Sequence, residues 1–580
     1  MKNKKIILLI SCIFLITIIG IGYFQPRNDE KGSKTTVSTI DSNVNTDDGD
    51  EKIIWSDYEN REIVLTNTIK ITEDGIYNLS GTIENGLIRV NVSGNVKLNL
   101  NGVHITNSEG PAIYIENASD VVITISGENY LEDGETYSTN YTDVDGALFS
   151  HDDLTFDGDG TLTIQANYMD GIVSKDDLKF ISGTYKIKSE DDGIRGKDSV
   201  YIQNGTYEIN AAGDGIKTTN DTDKEKGFIK IENGNFNIIS QLDGIQSENK
   251  LVIENGKFDI TTGGGSSNAS SKNDNWGHWG YGSMQSSIDS ESAKGLKALD
   301  NIVIQAGEFT LDTSDDSIHS NNYIGIGNGN FKIQSGDDGI HADYELIIDG
   351  GEIVIDKSYE GIESAKITIN NGTIDVISSD DGINIAGGND NSATNRPGAN
   401  NYSNSDCILT INNGTIHVDA TGDGIDVNGN AYINGGTITV EGPTNSGNGA
   451  LDYDRIFAIH GGTVIASGAS GMAQSATTDS KQNSVMIYFN NTYSSDDVIT
   501  IIDSNNNEIM SYTSKKNYAS LLFSSPSLQS NSSYTIKVNG STYQSFTVDT
   551  NCNSVGGKGM GNMPGGNVPK NPGGNRGGRR

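Results

Sequence analysis

The sequence predicts an all-β chain wound as a parallel β-helix with coils of about 22 residues, followed by a small antiparallel β unit. Three observations carry this. The tripeptide Asp-Gly-Ile begins at Asp170, Asp192, Asp214, Asp243, Asp338, Asp381 and Asp423, and variants begin at Lys294, Asp316 and Glu360; most neighbouring starts lie 22 positions apart. Between the tripeptides, β-branched strands run into Asn-Gly or Gly-Gly and out into another strand, as in Val200–Ile209 and Ile367–Val376. Glycine numbers 71 of 580 residues and proline only 8, which suits many corners and central strands that need every backbone N–H. A fixed period in the twenties marks a solenoid, and short strands with Asx and glycine corners mark a β-helix.

Each segment follows in order. Residues 1–24 hold Lys2, Lys4 and Lys5 and then an apolar run from Ile6 to Phe24, which reads as a secretion signal or membrane anchor. Leu9-Ile10-Ser11-Cys12 leaves a lipidated form open. Residues 25–50 form an acidic linker. Residues 51–482 form the β-helix, with irregular first coils, regular coils from about 144, and loop inserts at 263–292 and 387–406. Residues 483–550 lose the tripeptide and carry hydrophobic strands such as Val485–Phe489 and Tyr534–Val538, the antiparallel unit. Residues 551–580 are glycine-rich and basic and are expected to be disordered.

Net charge is −37, from 77 acidic and 40 basic residues. That argues against nucleic acid as a partner and fits extracellular solubility, cation binding or both. The three cysteines cannot form a disulfide framework. The expected location is extracellular or at the cell surface, membrane contact is expected only through the N-terminal segment, and the chain is expected to be a monomer.

Stacked coils turn repeated residues into columns spaced at about 4.8 Å. The column opening the tripeptides is nearly all acidic, and carboxylates so close repel unless neutralised or turned away. One job for such an Asp is to cap a turn by accepting backbone N–H groups. The doubled pairs Asp337-Asp338 and Asp380-Asp381 exceed that need, and oxygen clusters suit Ca²⁺. The candidate Ca²⁺ ligands are therefore Asp316, Asp337, Asp338, Glu360, Asp380 and Asp381, with Asp152, Asp176 and Asp177 as a second group. The column immediately after the apolar residue of the tripeptides holds Lys297, His319, His341, Glu363, Asn384 and Asp426; strand alternation places it outside, as a candidate binding face. His319 and His341, stacked, suggest a transition metal but lack an evident third ligand. Trp276, Trp279 and Tyr281 in the first insert are candidate sugar-stacking rings. Lys294, the one basic member of the acid column, is the only candidate for a catalytic base, the ordinary role of a lysine so placed being a structural counter-ion; no nucleophile, phosphate-loop or zinc motif is present.

Lys357–Glu363, Asp380–Asn384, Asp337–Ala342, Ser174–Leu178 and Leu521–Pro526 resemble the clostridial cell-surface family of carbohydrate-binding domain-containing proteins, over residues 53–550. That family is similar to calcium-dependent pectate lyases. The resemblance implies right-handed coils, bound Ca²⁺ and a plant polysaccharide partner such as polygalacturonate or cellulose. The leading expectation is an extracellular, calcium-containing polysaccharide-binding protein without turnover. A lyase acting by β-elimination and a structural surface protein or adhesin are the alternatives.

Overall fold

The isoleucine of each tripeptide points inward and stacks on its counterpart. Ile172, Ile194, Ile216, Ile245, Leu296, Ile318, Ile340, Ile362, Ile383, Ile425 and Leu451 follow one another in parallel register, and all are buried. This is a computed structural model, described over residues 35–46, 53–269, 292–386 and 407–557. Thr36 onward forms one unit, and Met1–Thr35 forms another of which only Thr35 is described.

The chain is a parallel β-helix with three sheets running its length. The first sheet holds the tripeptide strands, from Ile69–Ile71 through Ile194–Gly196 to Leu451–Tyr453. The second runs from Asn60–Leu65 through Ser199–Ile202 to Ile456–Ile459. The third includes Thr184–Ser189 and Thr206–Ala211 and ends at Thr463–Gly468. Strands of the third sheet alternate buried and exposed along their length, so one residue in two fills the narrow core. This explains the modest hydrophobic content without invoking disorder.

The Asn-Gly corners have a packing reason. Tyr185, Tyr207, Phe236, Phe258, Phe309 and Phe331 form one ladder of buried rings with successive centroids 5.2, 4.8, 4.7, 4.7 and 4.6 Å apart. Two residues before each of the six rings stands a glycine at positive φ, 136° at Gly307 for example. A Cβ there would lie 2.8 Å from the Phe309 ring, so glycine serves both the backbone angle and the ring beneath it.

The inserts leave the register intact. Ile245 pairs with Leu296 across the first insert and Ile383 with Ile425 across the second. At the C-terminal end, Tyr518–Ser524 pairs antiparallel with Thr463–Gly468 and with Ser484–Tyr493. A separate four-stranded antiparallel sheet spans Ile499–Asp503, Glu508–Tyr512, Ser533–Val538 and Ser541–Thr547. The C-terminal unit has its own core around Tyr518, Leu521, Phe523 and Ile536.

Two boundaries differ from the sequence reading. Residues 36–43 lie within the expected linker yet dock on the helix: Val37 and Ile40 pack against Val303 and Ile347, and Lys250 pairs with Asp41 at 2.7 Å. Two apolar side chains, this ion pair, and hydrogen bonds from Val37 N to Asp349 and from Asn301 to Asp41 O tie down an otherwise polar stretch. Cys552–Gly556, placed in the expected tail, is a strand parallel to Ser484–Tyr493, because a free edge there invites pairing. Cys407 is buried and Cys552 half-buried. Among the described residues no helix is long and apolar enough to cross a membrane; the apolar run 6–24 lies outside them.

The ring ladder yields a prediction. Phe309→Ala should cost about 3–5 kcal/mol. Gly307→Ala should also destabilise, since it adds a Cβ where both the angle and the space exclude one. Urea unfolding followed by far-UV circular dichroism measures both; an unchanged midpoint for Phe309→Ala would show that the ladder contributes little.

Candidate functional site

The acid column lies at the start of the first sheet, and its two carboxylate oxygens have different tasks. One oxygen reaches along the helix axis to the backbone of the next coil. Asp170 Oδ1 accepts from Asp192 N at 2.9 Å, Asp192 Oδ1 from Asp214 N at 2.9 Å, and Asp214 Oδ1 from Asp243 N at 2.7 Å. Further along, Asp316, Asp338, Asp381 and Asp423 accept in the same way from Asp338, Glu360, Asp423 and Gly449, at 3.0, 3.2, 2.6 and 2.5 Å. The capping role expected of these aspartates is therefore real but acts between coils, not within one turn. Lys294 cannot accept, and Asp316 N turns to Asp315 Oδ1 instead, at 2.9 Å.

The second oxygen meets the column expected on the outer face. Arg195 bonds Asp170 and lies 2.7 Å from Asp145. Lys217 lies 2.6 Å from Asp214, and Lys297 lies 2.8 Å from Asp243. Lys294, with its side chain 1% exposed, lies 2.7 Å from Asp316 and 3.0 Å from Asp315. His319 Nδ1 lies 2.8 Å from the same Asp316 oxygen, and its Nε2 lies 3.0 Å from Asn321. Burial opposes ionisation of Asp316, yet Lys294 and His319 hold its carboxyl well below the usual range.

This corrects the outer column. His319, His341 and Asn384 are buried, and Lys297 and Glu363 keep only a small exposed fraction. Strand alternation does turn them away from the apolar core. Lys297, His319 and Asn384 then fold back to donate to the acid column, and Glu363 lies beside His341, so they do not form an open face.

Beyond Asp316 the neutralisation changes. His341 Nδ1 lies 3.3 Å from Asp338 Oδ2 and 3.8 Å from Glu363 Oε2. Burial disfavours its charged form, but Asp338, Glu363 and Asp316 outweigh that and raise its pKa well above the imidazole value. Glu363 is raised well above the carboxylate range by burial and by Glu360 and Asp338. Glu360, bonded by Asn384 at 2.7 Å, is raised to about 7 by burial and then by Asp338. Asp381 is raised to about 8, Asp423 to about 6 and Asp426 to about 7, each first by burial and then by neighbouring carboxylates among Asp380, Asp423 and Asp452. Among the described residues no lysine or arginine pairs with Asp381, Asp423 or Asp426. Asp380 and Asp381 also crowd Gly422 of the next coil, where a Cβ would collide with both Oδ1 atoms.

The remaining candidates separate. Asp337 joins Asp315 and Asp316, and Asp153, Asp176 and Asp177 form another group, each group with carboxylate oxygens within 4.8 Å of one another. Asp152 instead accepts from Ala118 N at 2.8 Å. Trp276, Trp279 and Tyr281 lie outside the described residues.

A polar groove of about 680 Å³ was not anticipated. It crosses five coils and is lined by Asn330, Asn371, Thr373, Asn413, Thr415 and Thr437, with glycines between them. Thr373, Thr415 and Thr437 stack in register, and Asn413 bonds Asn371 at 3.3 Å. Its signal was the Asn-Gly-Thr repeat, which reads as a corner and also leaves amides and hydroxyls in rows beside bare backbone.

Residues 66–339 match the family model of the carbohydrate-binding domain-containing protein. A curated carbohydrate-binding domain-containing protein of Acetivibrio thermocellus is 33% identical over 200 residues, 33% of this chain and 66% of that protein, just under two thirds of its length. A solved gadolinium derivative of the polysaccharide lyase-like protein from C. thermocellum is 33% identical, with 36% of this chain and 92% of that one covered and a TM-score of 0.35.

The two-oxygen division predicts opposite results for two changes at one residue. In calcium-free buffer Asp381→Ala should cost about 1–3 kcal/mol, since it strands the Asp423 amide. Asp381→Asn keeps an acceptor and removes a crowded charge, so its urea midpoint should match or exceed that of the native chain. Equal losses in both would mean that the charge, not the acceptor, supports the coil.

Proposed function

We propose that this chain, whose residues 66–339 belong to the carbohydrate-binding domain-containing protein family, is an extracellular, calcium-containing protein that binds plant cell-wall polysaccharide such as polygalacturonate or cellulose without turning it over. One observation carries the reading: the acid column is matched by basic side chains from Asp170 to Asp316 and, among the described residues, is left without them at Asp381 and Asp423, where the outer column adds a further acid, Asp426. Oxygen-only donors held at coil spacing fit Ca²⁺, which takes six to eight oxygens at flexible geometry. A chain of net charge −37 binding an anionic polymer needs a divalent bridge, since like charges repel. The amide and hydroxyl rows of the groove suit the hydroxyl groups of a polysaccharide.

Lys294 bears on turnover. Enclosed and shared by two carboxylates, it serves as their counter-ion and is not free to take a proton from a substrate. The apolar run 6–24 supports export.

The deciding experiment incubates the chain with polygalacturonate with and without Ca²⁺ and follows both co-sedimentation and the absorbance of unsaturated product. Binding that needs Ca²⁺, with no product, is expected; product would make the chain a lyase, and neither would leave a structural surface protein. Two further outcomes follow. Chelation should lower the melting temperature, because an ion bound only by the folded state stabilises it, and Asp381→Asn should weaken Ca²⁺ binding in calorimetry. Asn413→Ala with Thr415→Ala should reduce polysaccharide retention and leave Ca²⁺ affinity unchanged; unaltered retention would move recognition away from the groove.

A further inference from the structure

Histidine interrupts the pattern of cations along the acid column. Each carboxylate group up to Asp316 has an ammonium or guanidinium at hand. The next group, Asp338, Glu360 and Glu363, has the imidazole of His341, and that imidazole is not hydrogen-bonded. It is fully buried, and neither Nδ1 nor Nε2 has a hydrogen-bond partner. Nδ1 stands 3.3 Å from Asp338 Oδ2 and 3.8 Å from Glu363 Oε2; on the far side, Nε2 is 3.6 Å from Asp343. Two further buried atoms nearby lack hydrogen-bond partners: Ser364 Oγ, beside Glu363 in sequence, and Asn384 Oδ1, opposite Glu363 in the next coil.

We propose that Asp338, His341 and Glu363 form a binding site for a divalent transition metal, separate from the oxygen-only calcium site at Asp381 and Asp423. Their ligand atoms lie within 4.8 Å of one another. Ligands bound at about 2.0–2.2 Å to one tetrahedral ion lie about 3.3–3.6 Å apart, and the observed 3.3 and 3.8 Å approach that with no ion required to draw them in. The donors decide the class of metal: imidazole with two carboxylates suits Zn²⁺, Co²⁺ or Mn²⁺, whereas Ca²⁺ and Mg²⁺ take oxygen. Glu363 keeps 14% of its side chain exposed, which leaves a way in for an ion. The adjacent set Asp316, His319 and His341 is also compact. There, however, Lys294 and His319 already share the Asp316 oxygen, so the chain supplies its own cation. Two neighbouring coils supply the ligands: Asp338 and His341 come from one and Glu363 from the next, where Ile340 pairs with Ile362 and His341 lies beneath Glu363.

The test uses the full chain stripped by a chelator and titrated with Co²⁺ alone, then Zn²⁺ alone. One Co²⁺ per chain is expected, with visible absorption bands typical of low-coordinate cobalt, displaced by Zn²⁺ and retained in excess Ca²⁺. Glu363→Gln and His341→Gln should each weaken Co²⁺ by at least about tenfold, while Asp381→Asn leaves it unchanged. Glu363→Gln, at the partly exposed ligand, serves if His341→Gln fails to fold by circular dichroism. No stoichiometric uptake, displacement by Ca²⁺, or native affinity in Glu363→Gln would overturn the proposal and leave His341 as a counter-ion. None of these readouts involves polysaccharide, so failure here is distinguishable from failure of the glycan reading.

Discussion

A parallel coil sets every repeated side chain about 4.8 Å from its own copy, and the structure depends on making like tolerate like. Apolar residues do so by packing. Rings do so by offset stacking, as from Tyr185 to Phe331. Asparagines do so because an amide is donor and acceptor at once: Asn434 bonds Asn412, and Asn412 bonds Asn370. Aspartate has no such symmetry. Its copies repel, and the fold accommodates them only by giving each oxygen a different partner.

The solution is economical in geometry. Oδ1 points along the axis to an amide that would otherwise be orphaned at the coil junction, and so joins neighbouring coils by a bond that the strands themselves do not make. Oδ2 points sideways, to whatever the outer column supplies: three positions on for Asp214 and Lys217, one coil further for Asp170 and Arg195 or Asp243 and Lys297. Changing that one residue from arginine or lysine to histidine, glutamate, asparagine or aspartate changes the column from self-neutralised to cation-seeking. The backbone barely alters: Arg195, Lys217, Lys297, His341 and Asp426 occupy equivalent places in the register.

This explains what was legible in the sequence. The period, the Asn-Gly corners and the loss of the tripeptide after the last coil carry the architecture, because register follows from spacing alone. Burial outside the apolar core does not. Alternation says that His319 and His341 leave the core, and it cannot say that they fold back onto Asp316 and Asp338. The acid column was visible as a column, but the direction of each oxygen was not, since that depends on the amide of the following coil. Lys294 stood out as the basic break in the acid run with a counter-ion as its ordinary role, and the structure supplies the carboxylates it meets, Asp315 and Asp316. The docking of Val37 and Ile40 was hidden for another reason: two apolar residues in an acidic stretch carry no periodicity.

At the C-terminal end the chain reverses direction, and Tyr518–Ser524 covers the last parallel strand of the third sheet. That reversal separates the ends of the solenoid from its middle. A copied internal coil would meet the same registers above and below and leave the terminal strands untouched. Coil number is thus free to vary over evolutionary time by internal duplication, and the length of the charged column varies with it.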